Sequence, residues 1–205
     1  GVGKTTCARI LARKINQEGY DDPNEDLAFN VFELDAASNN SVDDIRNLID
    51  QVRIPPQSGK YKVYIIDEVH MLSSAAFNAF LKTLEEPPSY AIFILATTEK
   101  HKVLPTILSR CQVYDFSRIT VLDTIHHLQY VAQQEGINAS EEALNVVAQK
   151  ADGGMRDALS IFDQLVSFCG GNINYEQAIE VLNVLNTDYY FHLVDAAISQ
   201  QVSKA

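Results

Sequence analysis

The chain opens with a glycine-rich segment whose residue types suit phosphate binding. Its residues are Gly1, Val2, Gly3, Lys4, Thr5 and Thr6. In a glycine loop that feeds a helix, backbone N–H groups and the helix dipole surround phosphate oxygens, while a lysine neutralises the terminal phosphates and the following hydroxyl binds Mg²⁺. Lys4 and Thr5 would take these two roles. A glycine-rich turn that only precedes a helix would have the same appearance, so a second signal must decide.

Two adjacent acids provide that second signal. Asp67 and Glu68 directly follow the apolar run 63–66, which predicts a strand buried on both faces. The first acid can hold Mg²⁺, and the second can activate an attacking water. Acids also end strands simply because strand ends meet solvent, so the pair alone is weak evidence. Together with an upstream phosphate loop it predicts a nucleotide site, because both would meet at one edge of a sheet.

Hydrophobic periodicity predicts the elements that would position these residues. The predicted helices of the first part of the chain cover 4–15, 43–52 and 73–86. The second of them is introduced by a capping box that begins at Ser41. The predicted strands cover 29–34, 63–66, 91–95 and 112–116. Strands that alternate with helices indicate a parallel α/β sheet, whose ligand lies at the carboxyl ends of the strands.

From residue 121 onward the pattern changes to helices alone. The predicted helices cover 121–135, 140–151, 155–168, 175–183 and 187–200. We therefore expect a nucleotide-binding domain over 1–118, a small helical domain over 119–183 and the start of a further helical domain over 184–205.

Composition and charge exclude several classes of protein. The chain has 205 residues, of which 46% are hydrophobic, and a net charge of −11. This balance argues against a protein that coats itself on DNA, so any DNA contact must be local or shared with partners, with Lys82, Lys100 and Lys102 as candidates. No apolar run approaches the roughly 20 residues of a membrane helix, and we expect a soluble cytoplasmic protein without a membrane partner.

The cysteines and histidines show no pattern that predicts a metal site. Cys7, Cys111 and Cys169 lie far apart and form no CxxC pair, so we interpret them as small core residues in a reducing compartment. The histidines lack metal-ligand spacing, and we interpret them as surface or packing residues. They are His70, His101, His126, His127 and His192.

Several separate segments, in order along the chain, resemble one known family. They are VYIIDEVHML at 63–72, FNAFLKTLEEPP at 77–88, LATT at 95–98, PTILSRC at 105–111 and GGMRDALS at 153–160. This set resembles the AAA+ core of the bacterial DNA polymerase III gamma/tau clamp-loader subunits. The similarity covers nearly the whole chain, which leaves little room for coincidence.

The resemblance implies a fold and an activity. The fold would be an AAA+ P-loop NTPase core with a parallel sheet, truncated at its N-terminus, followed by a small all-helical lid domain and the start of a collar domain. The activity would be that of an ATPase, with ATP and Mg²⁺ as cofactors, which loads the sliding clamp onto primed DNA for DNA polymerase III. Its partners would be other clamp-loader subunits in a hetero-oligomeric ring, the sliding clamp and primer-template DNA.

The resemblance also assigns roles to single residues. Thr98 matches the sensor-1 position, with Thr97 as the alternative, where a polar side chain orients water against the γ-phosphate. Arg110 matches the arginine finger that reaches a neighbouring subunit's site. Arg156 resembles the sensor-2 arginine of the lid domain. The alternative is that Arg156 is simply an exposed residue at the start of a helix, next to Asp157. Glu68 would be the catalytic base, and Thr5 and Asp67 would hold Mg²⁺.

The chain departs from the family in two ways, and two alternative functions stay open. The four-cysteine zinc module common in the family is replaced by the cysteine-free segment 17–26, so no zinc is predicted. The strand before Gly1 and the collar beyond Ala205 are not in the sequence, which we therefore interpret as a fragment. The alternatives are a non-hydrolysing structural clamp-loader subunit and another AAA+ DNA motor, such as a branch-migration helicase.

Overall fold

A computed structural model of the chain describes residues 1–17, 30–57 and 59–182. By its internal contacts the chain divides into two compact units. The sheet unit is Gly3–Asp115, and the helical unit is Phe116–Ala205 together with Gly1–Val2.

Three parallel strands form the centre of the sheet unit. They are β1 (Val31–Asp35), β2 (Lys62–Asp67) and β3 (Ala91–Leu95), in that spatial order. The register pairs Asp35 with Asp67 and Ile66 with Leu95, so the three strands end at the same edge. Residues 63–66 of β2 are fully buried, as an unbroken apolar run in a central parallel strand predicts.

Helices cover both faces of this sheet. They are α1 (Lys4–Gln17), α2 (Val42–Val52), α3 (Ser74–Glu85) and α4 (Pro105–Leu108), with 3₁₀ turns at Val69–Met71 and Lys100–Lys102. On one face, Ala8 and Ala12 of α1 pack against Val63 and Ile65. On the other, buried side chains of α2 and α3 pack around Tyr64. Ser41 begins α2 with the predicted capping box, which satisfies backbone N–H groups that the first helical turn leaves unpaired.

The predicted strand over 112–116 is wrong. These residues form neither helix nor strand, and Tyr114 is 69% exposed. Apolar residues become a strand only where a neighbouring strand accepts their backbone hydrogen bonds, and no strand of the described residues pairs with this segment. The other predicted strands are present with ends shifted by one or two residues, apart from Phe29, which lies outside the described residues.

The helical unit contains four described helices. They are α5 (Val121–Gln134), α6 (Glu141–Lys150), α7 (Met155–Cys169) and α8 (Tyr175–Leu182). Two short strands, β4 (Asn138–Ala139) and β5 (Asn172–Ile173), pair in parallel in the same unit. Leu128, Leu144 and Leu165 form the centre of its core. The predicted helix over 187–200 lies outside the described residues. No described helix has the length and apolar character that a membrane crossing requires.

A glycine turn sets the start of α7. Gly153 has a φ of +76°, and a Cβ at this position would lie 2.6 Å from the Cβ of Arg118. Both the left-handed backbone and the close neighbour therefore require glycine. This turn leads into the first turn of α7, which carries Arg156.

The expectation that the cysteines are core residues is wrong. Cys7 and Cys111 are exposed, and Cys169 is half-buried. In α1 the buried positions are Ala8, Ala12 and Asn16, and Cys7 is one residue away from that stripe, about 100° around the helix. Cys111 lies in the turn that follows α4, where packing against the core ends.

Candidate nucleotide-binding site

The chain enters α1 through a glycine turn. Gly3 has a φ of +90°, a conformation that glycine adopts without steric cost. Its carbonyl accepts from Cys7 N at 2.9 Å, which starts the helical hydrogen bonds. The N–H groups of the first turn of a helix lack acceptors inside the helix, so those of Lys4, Thr5 and Thr6 are available to an anion. The turn and the lysine fit a phosphate group.

Thr5 meets Asp67 across the gap between α1 and β2. The Thr5 hydroxyl donates to Asp67 Oδ2 at 2.7 Å, and Asp67 Oδ1 accepts from Glu68 N at 2.9 Å. Thr5 belongs to the first turn of α1, and Asp67 is the last residue of β2. A hydroxyl beside a carboxylate is the oxygen donor set that Mg²⁺ prefers, so these two residues fit the predicted metal.

Glu68 leaves the strand through a left-handed backbone conformation. Its φ and ψ are 47° and 43°, whereas the next residue, Val69, returns to the sheet edge by donating to Ala96 O at 3.0 Å. The side chain consequently turns toward the end of β3. There Glu68 Oε2 accepts from Thr98 Oγ1 at 2.9 Å and from Thr98 N at 3.3 Å.

The two threonines after β3 have different partners. Thr98 contacts the carboxylate of Glu68, while Thr97 Oγ1 lies 2.9 Å from His70 Nδ1 and accepts from Glu99 N at 3.0 Å. Of the two threonines that the sequence offers for the sensor position, Thr98 is therefore the one that contacts the proposed base directly.

His70 is a member of the site that sequence reasoning missed. Its side chain is only 7% exposed, with Nδ1 3.4 Å from Glu68 Oε2 and Nε2 3.1 Å from Glu99 Oε2. The interpretation as a packing residue agrees with this burial but omits the polar contacts. A possible signal was its place two residues after Glu68, at the same strand end. His101, His126 and His127 are exposed, and His192 lies outside the described residues.

Glu99 is held from a second side by a lysine. Lys102 Nζ donates to Glu99 Oε2 at 2.6 Å, and this hydrogen bond is the main reason that the pKa of Glu99 is lowered. Lys100 likewise pairs with Asp115 at 3.2 Å. Of the three lysines considered for DNA contact, only Lys82 has no acidic partner among the described residues.

Arg110 makes its contacts away from the acid pair. Its guanidinium donates to Thr106 O at 2.8 Å and pairs with Glu85 at 3.2 Å. The side chains of Arg110 and Glu85 are each 45% exposed. Within the described part of the chain, Arg110 makes no hydrogen bond or ion pair with Asp67 or Glu68.

The remaining predicted residues belong to the helical unit. The Gly1 carbonyl accepts from Met155 N at 3.0 Å. Arg156 is exposed in the first turn of α7, where its carbonyl accepts from Ser160 Oγ at 2.9 Å. Val2 is half-buried in the same unit.

Comparison with solved structures shows the fold. Thermotoga maritima RuvB, described as a Holliday junction branch migration motor, matches with a TM-score of 0.66 at 20% identity, covering 91% of this chain and 59% of that chain. A mutant form of the same RuvB matches with a TM-score of 0.67 at 19% identity, with the same coverage of both chains. The expected AAA+ core with a parallel sheet, followed by a helical lid domain, is confirmed.

Comparison of sequences shows the family. The tau subunit of DNA polymerase III from Bacillus subtilis (strain 168) is 46% identical over the whole of this chain. The chain belongs to the DNA polymerase III gamma/tau family of clamp-loader subunits. A family model described as the DNA polymerase III delta subunit matches residues 1–120, and one for the clamp-loader ATPase lid domain matches residues 124–171. The second description agrees with a clamp-loader subunit, and the first with a subunit of DNA polymerase III.

Further gamma/tau relatives give the extent of the match. The Escherichia coli (strain K12) tau subunit is 40% identical over 97% of this chain. The gamma subunit of Buchnera aphidicola from Schizaphis graminum is 38% identical over all of it. The chain spans 38%, 33% and 60% of the lengths of these three gamma/tau relatives. The resemblance to gamma/tau subunits is confirmed, and the alternative of a branch-migration helicase is not favoured, because the RuvB likeness is one of fold alone.

Proposed function

We propose that this chain is the ATP-hydrolysing part of a clamp-loader subunit that loads a sliding clamp onto primed DNA for DNA polymerase III. The observation that carries the proposal is a pair of contacts at one sheet edge. Thr5 meets Asp67 at 2.7 Å, and Thr98 meets Glu68 at 2.9 Å. The first pair suits a metal and phosphates, and the second suits an attacking water.

Each side chain has a distinct task in this proposal. Lys4 and the N–H groups of the first turn of α1 bind the phosphates of ATP, and Thr5 and Asp67 hold Mg²⁺. When bound, Mg²⁺ neutralises charge on the phosphate oxygens. Glu68 takes a proton from the attacking water, and Thr98 fixes the direction of the Glu68 carboxylate.

Two arginines complete the proposed reaction cycle. Arg110 stabilises charge at the site of a neighbouring subunit, which agrees with its exposure and with the lack of any described contact to its own acid pair. Arg156, exposed on α7, has the role of the family's sensor-2 arginine, which responds to the bound nucleotide.

Family membership and net charge support the proposed partners. We propose a ring of different clamp-loader subunits that acts with the clamp on primer-template DNA. A net charge of −11 makes DNA binding by this chain alone unfavourable, so the partner subunits supply part of the basic surface. The alternative of a non-hydrolysing structural subunit is less well supported, because Lys4, Thr5, Asp67 and Glu68 are all present.

Two variants of the full-length subunit, each in its reconstituted complex, test this function. Glu68→Gln should keep ATP affinity and lose turnover, because the amide preserves shape but cannot take a proton. Lys4→Ala should lose ATP affinity itself, because the phosphates lose their main counter-charge. Nucleotide titration and phosphate release in the presence of clamp and primed DNA give the two quantities.

Matched controls accompany both variants. Glu86→Gln changes an exposed acid at the end of α3, and Lys14→Ala changes an exposed lysine on α1, so both should behave as the parent. Parent turnover in Glu68→Gln would rule out the base assignment. Unchanged ATP affinity in Lys4→Ala would rule out the phosphate loop.

A further inference from the structure

We propose that His70 is a positioning residue for hydrolysis, which holds the loop after β3 so that Thr98 meets the carboxylate of Glu68. The inference rests on the function proposed above and adds a residue to which the family resemblance assigns no role. His70 does not touch the reacting atoms in this proposal. It acts on the base through the threonine pair.

Both nitrogens of the imidazole contact the loop that follows β3. Nδ1 lies 2.9 Å from Thr97 Oγ1, and Nε2 lies 3.1 Å from Glu99 Oε2. The ring therefore spans the residues on either side of Thr98. With the side chain only 7% exposed, water has little access, and a buried polar ring must find its partners within the protein.

A carboxylate partner fixes the hydrogen-bond role of one ring nitrogen. A carboxylate only accepts, so Nε2 carries the proton that points to Glu99. Thr97 Oγ1 accepts from Glu99 N at 3.0 Å, and the same hydroxyl can either donate to Nδ1 or accept a second hydrogen bond from it. In either case His70 connects Thr97 and Glu99 to the turn that follows Glu68.

The contacts of His70 with Thr97 and Glu99 restrict the direction in which Thr98 can point. Thr98 lies between two residues that His70 holds, and Lys102 fixes Glu99 from the other side at 2.6 Å. Both the N–H and the hydroxyl of Thr98 consequently converge on Glu68 Oε2. In the described part of the chain, every side-chain hydrogen bond of Glu68 ends on Oε2, so Oε1 is the oxygen that is open to a water.

The first test compares His70→Ala with the parent in the full-length subunit and its reconstituted complex. We expect kcat for ATP hydrolysis to fall about tenfold, which corresponds to the loss of one orienting hydrogen bond, while ATP affinity stays within about twofold. His126→Ala, which removes an exposed histidine from α5, is the matched control and should match the parent. Parent kcat in His70→Ala, or a parallel loss of ATP affinity, would overturn the proposal.

Two further substitutions separate positioning from packing. His70→Asn places an amide near the position of Nδ1, where it can form a hydrogen bond with Thr97, whereas His70→Gln reaches toward Glu99 instead. We expect kcat to recover in part with His70→Asn and to stay lower with His70→Gln. If His70→Ala unfolds, which a lowered melting temperature would show, the comparison of kcat between His70→Asn and His70→Gln still tests the proposal. A kcat for His70→Asn at or below that of His70→Gln overturns it.

A double substitution tests the route through Thr98. In a Thr98→Ala background, His70→Ala should lower kcat no further, because the interaction through which it acts is already absent. If the two substitutions lower kcat by factors that multiply in the double variant, the proposal is contradicted. The proposed function fails separately, and recognisably, if the parent complex does not hydrolyse ATP or if Glu68→Gln hydrolyses it at the parent rate.

Discussion

The carboxylate of Glu68 owes its direction to a backbone conformation that few side chains tolerate. Glu68 and Asp152 are the only described non-glycine residues with a positive φ. Such a conformation costs on the order of 1–3 kcal/mol and persists only where the surroundings enforce it. For Glu68 those surroundings are the Val69 N–H bond to Ala96 O and the donors of Thr98. The strain places the proposed base opposite the end of β3.

Removal of one hydroxyl tests this arrangement. Thr98→Val keeps the shape and the backbone N–H but loses the 2.9 Å donor to Glu68. We expect kcat to fall about 10²-fold, as for other single donors that orient charge, with ATP affinity unchanged. Thr98→Ser retains the hydroxyl and should stay near the parent rate. Steady-state hydrolysis by the assembled complex measures both, and a fully active Thr98→Val would remove Thr98 from the mechanism.

At the scale of elements, the centre of β2 carries a buried tyrosine. Tyr64 is fully buried, and its ring stacks with those of Phe32 and Phe93 at 5.0 and 5.4 Å. Among the described residues, its hydroxyl finds no hydrogen-bond partner. Burial raises the pKa of Tyr64 to about 12, because the charged form would be in an apolar core. The stacked rings stabilise the sheet, whereas the buried Tyr64 hydroxyl lowers its stability.

Replacement of Tyr64 should change both stability and its pH dependence. Tyr64→Phe removes this buried hydroxyl, which has no partner in the described part of the chain, and should raise the free energy of unfolding by about 1 kcal/mol at pH 7. Because the folded pKa is raised, the contribution of Tyr64 is complete below pH 10 and is lost as pH rises toward 12, by up to about 2–3 kcal/mol. Urea unfolding from pH 7 to 11.5 should show a smaller alkaline loss in Tyr64→Phe.

An exposed tyrosine provides the control for this experiment. Tyr114 is 69% exposed, so Tyr114→Phe should keep the stability curve of the parent. If Tyr64→Phe and the parent lose the same free energy between pH 10 and 11.5, the hydroxyl is not buried in solution as it is in this structure.

At the scale of the whole molecule, the proposed role of Arg110 lies between subunits. Its described partners, Thr106 O and Glu85, hold the guanidinium at the surface of the sheet unit. An exposed ion pair of this kind contributes little to stability, about 0–1 kcal/mol, so its function is better sought at an interface. An arginine that completes a neighbour's site acts only in the ring.

Mixed rings test whether Arg110 acts between subunits. Arg110→Ala should leave nucleotide binding by the isolated chain nearly intact and lower hydrolysis by the ring about 10³-fold. Mixing Arg110→Ala with Glu68→Gln subunits should restore part of the activity, because some interfaces then pair an intact Glu68 with an intact Arg110. Arg46→Ala, another exposed arginine of the sheet unit, is the control. Normally assembled mixed rings without any gain would contradict action in trans.

The sequence alone was sufficient to predict the type and approximate bounds of most described helices and strands. The apolar run before Asp67, the serine caps of α2 and α3 and the glycines around α7 are properties of neighbouring residues, and neighbours decide helix and strand formation. The segment 112–116 marks the limit of this reasoning. Its apolar pattern is that of a strand, but only the tertiary structure decides whether a neighbouring strand lies beside it to form backbone hydrogen bonds.

Within the site, the sequence determined which residue types are present and in what order. The phosphate loop, the acid pair and the two threonines are local motifs, and the order of strands in a parallel fold brings them to one edge. Only the tertiary structure decided that Thr98, rather than Thr97, contacts Glu68, and that His70 joins this site. His70 and Thr97 are 27 residues apart, and no local pattern records a contact that exists because two strand ends lie side by side.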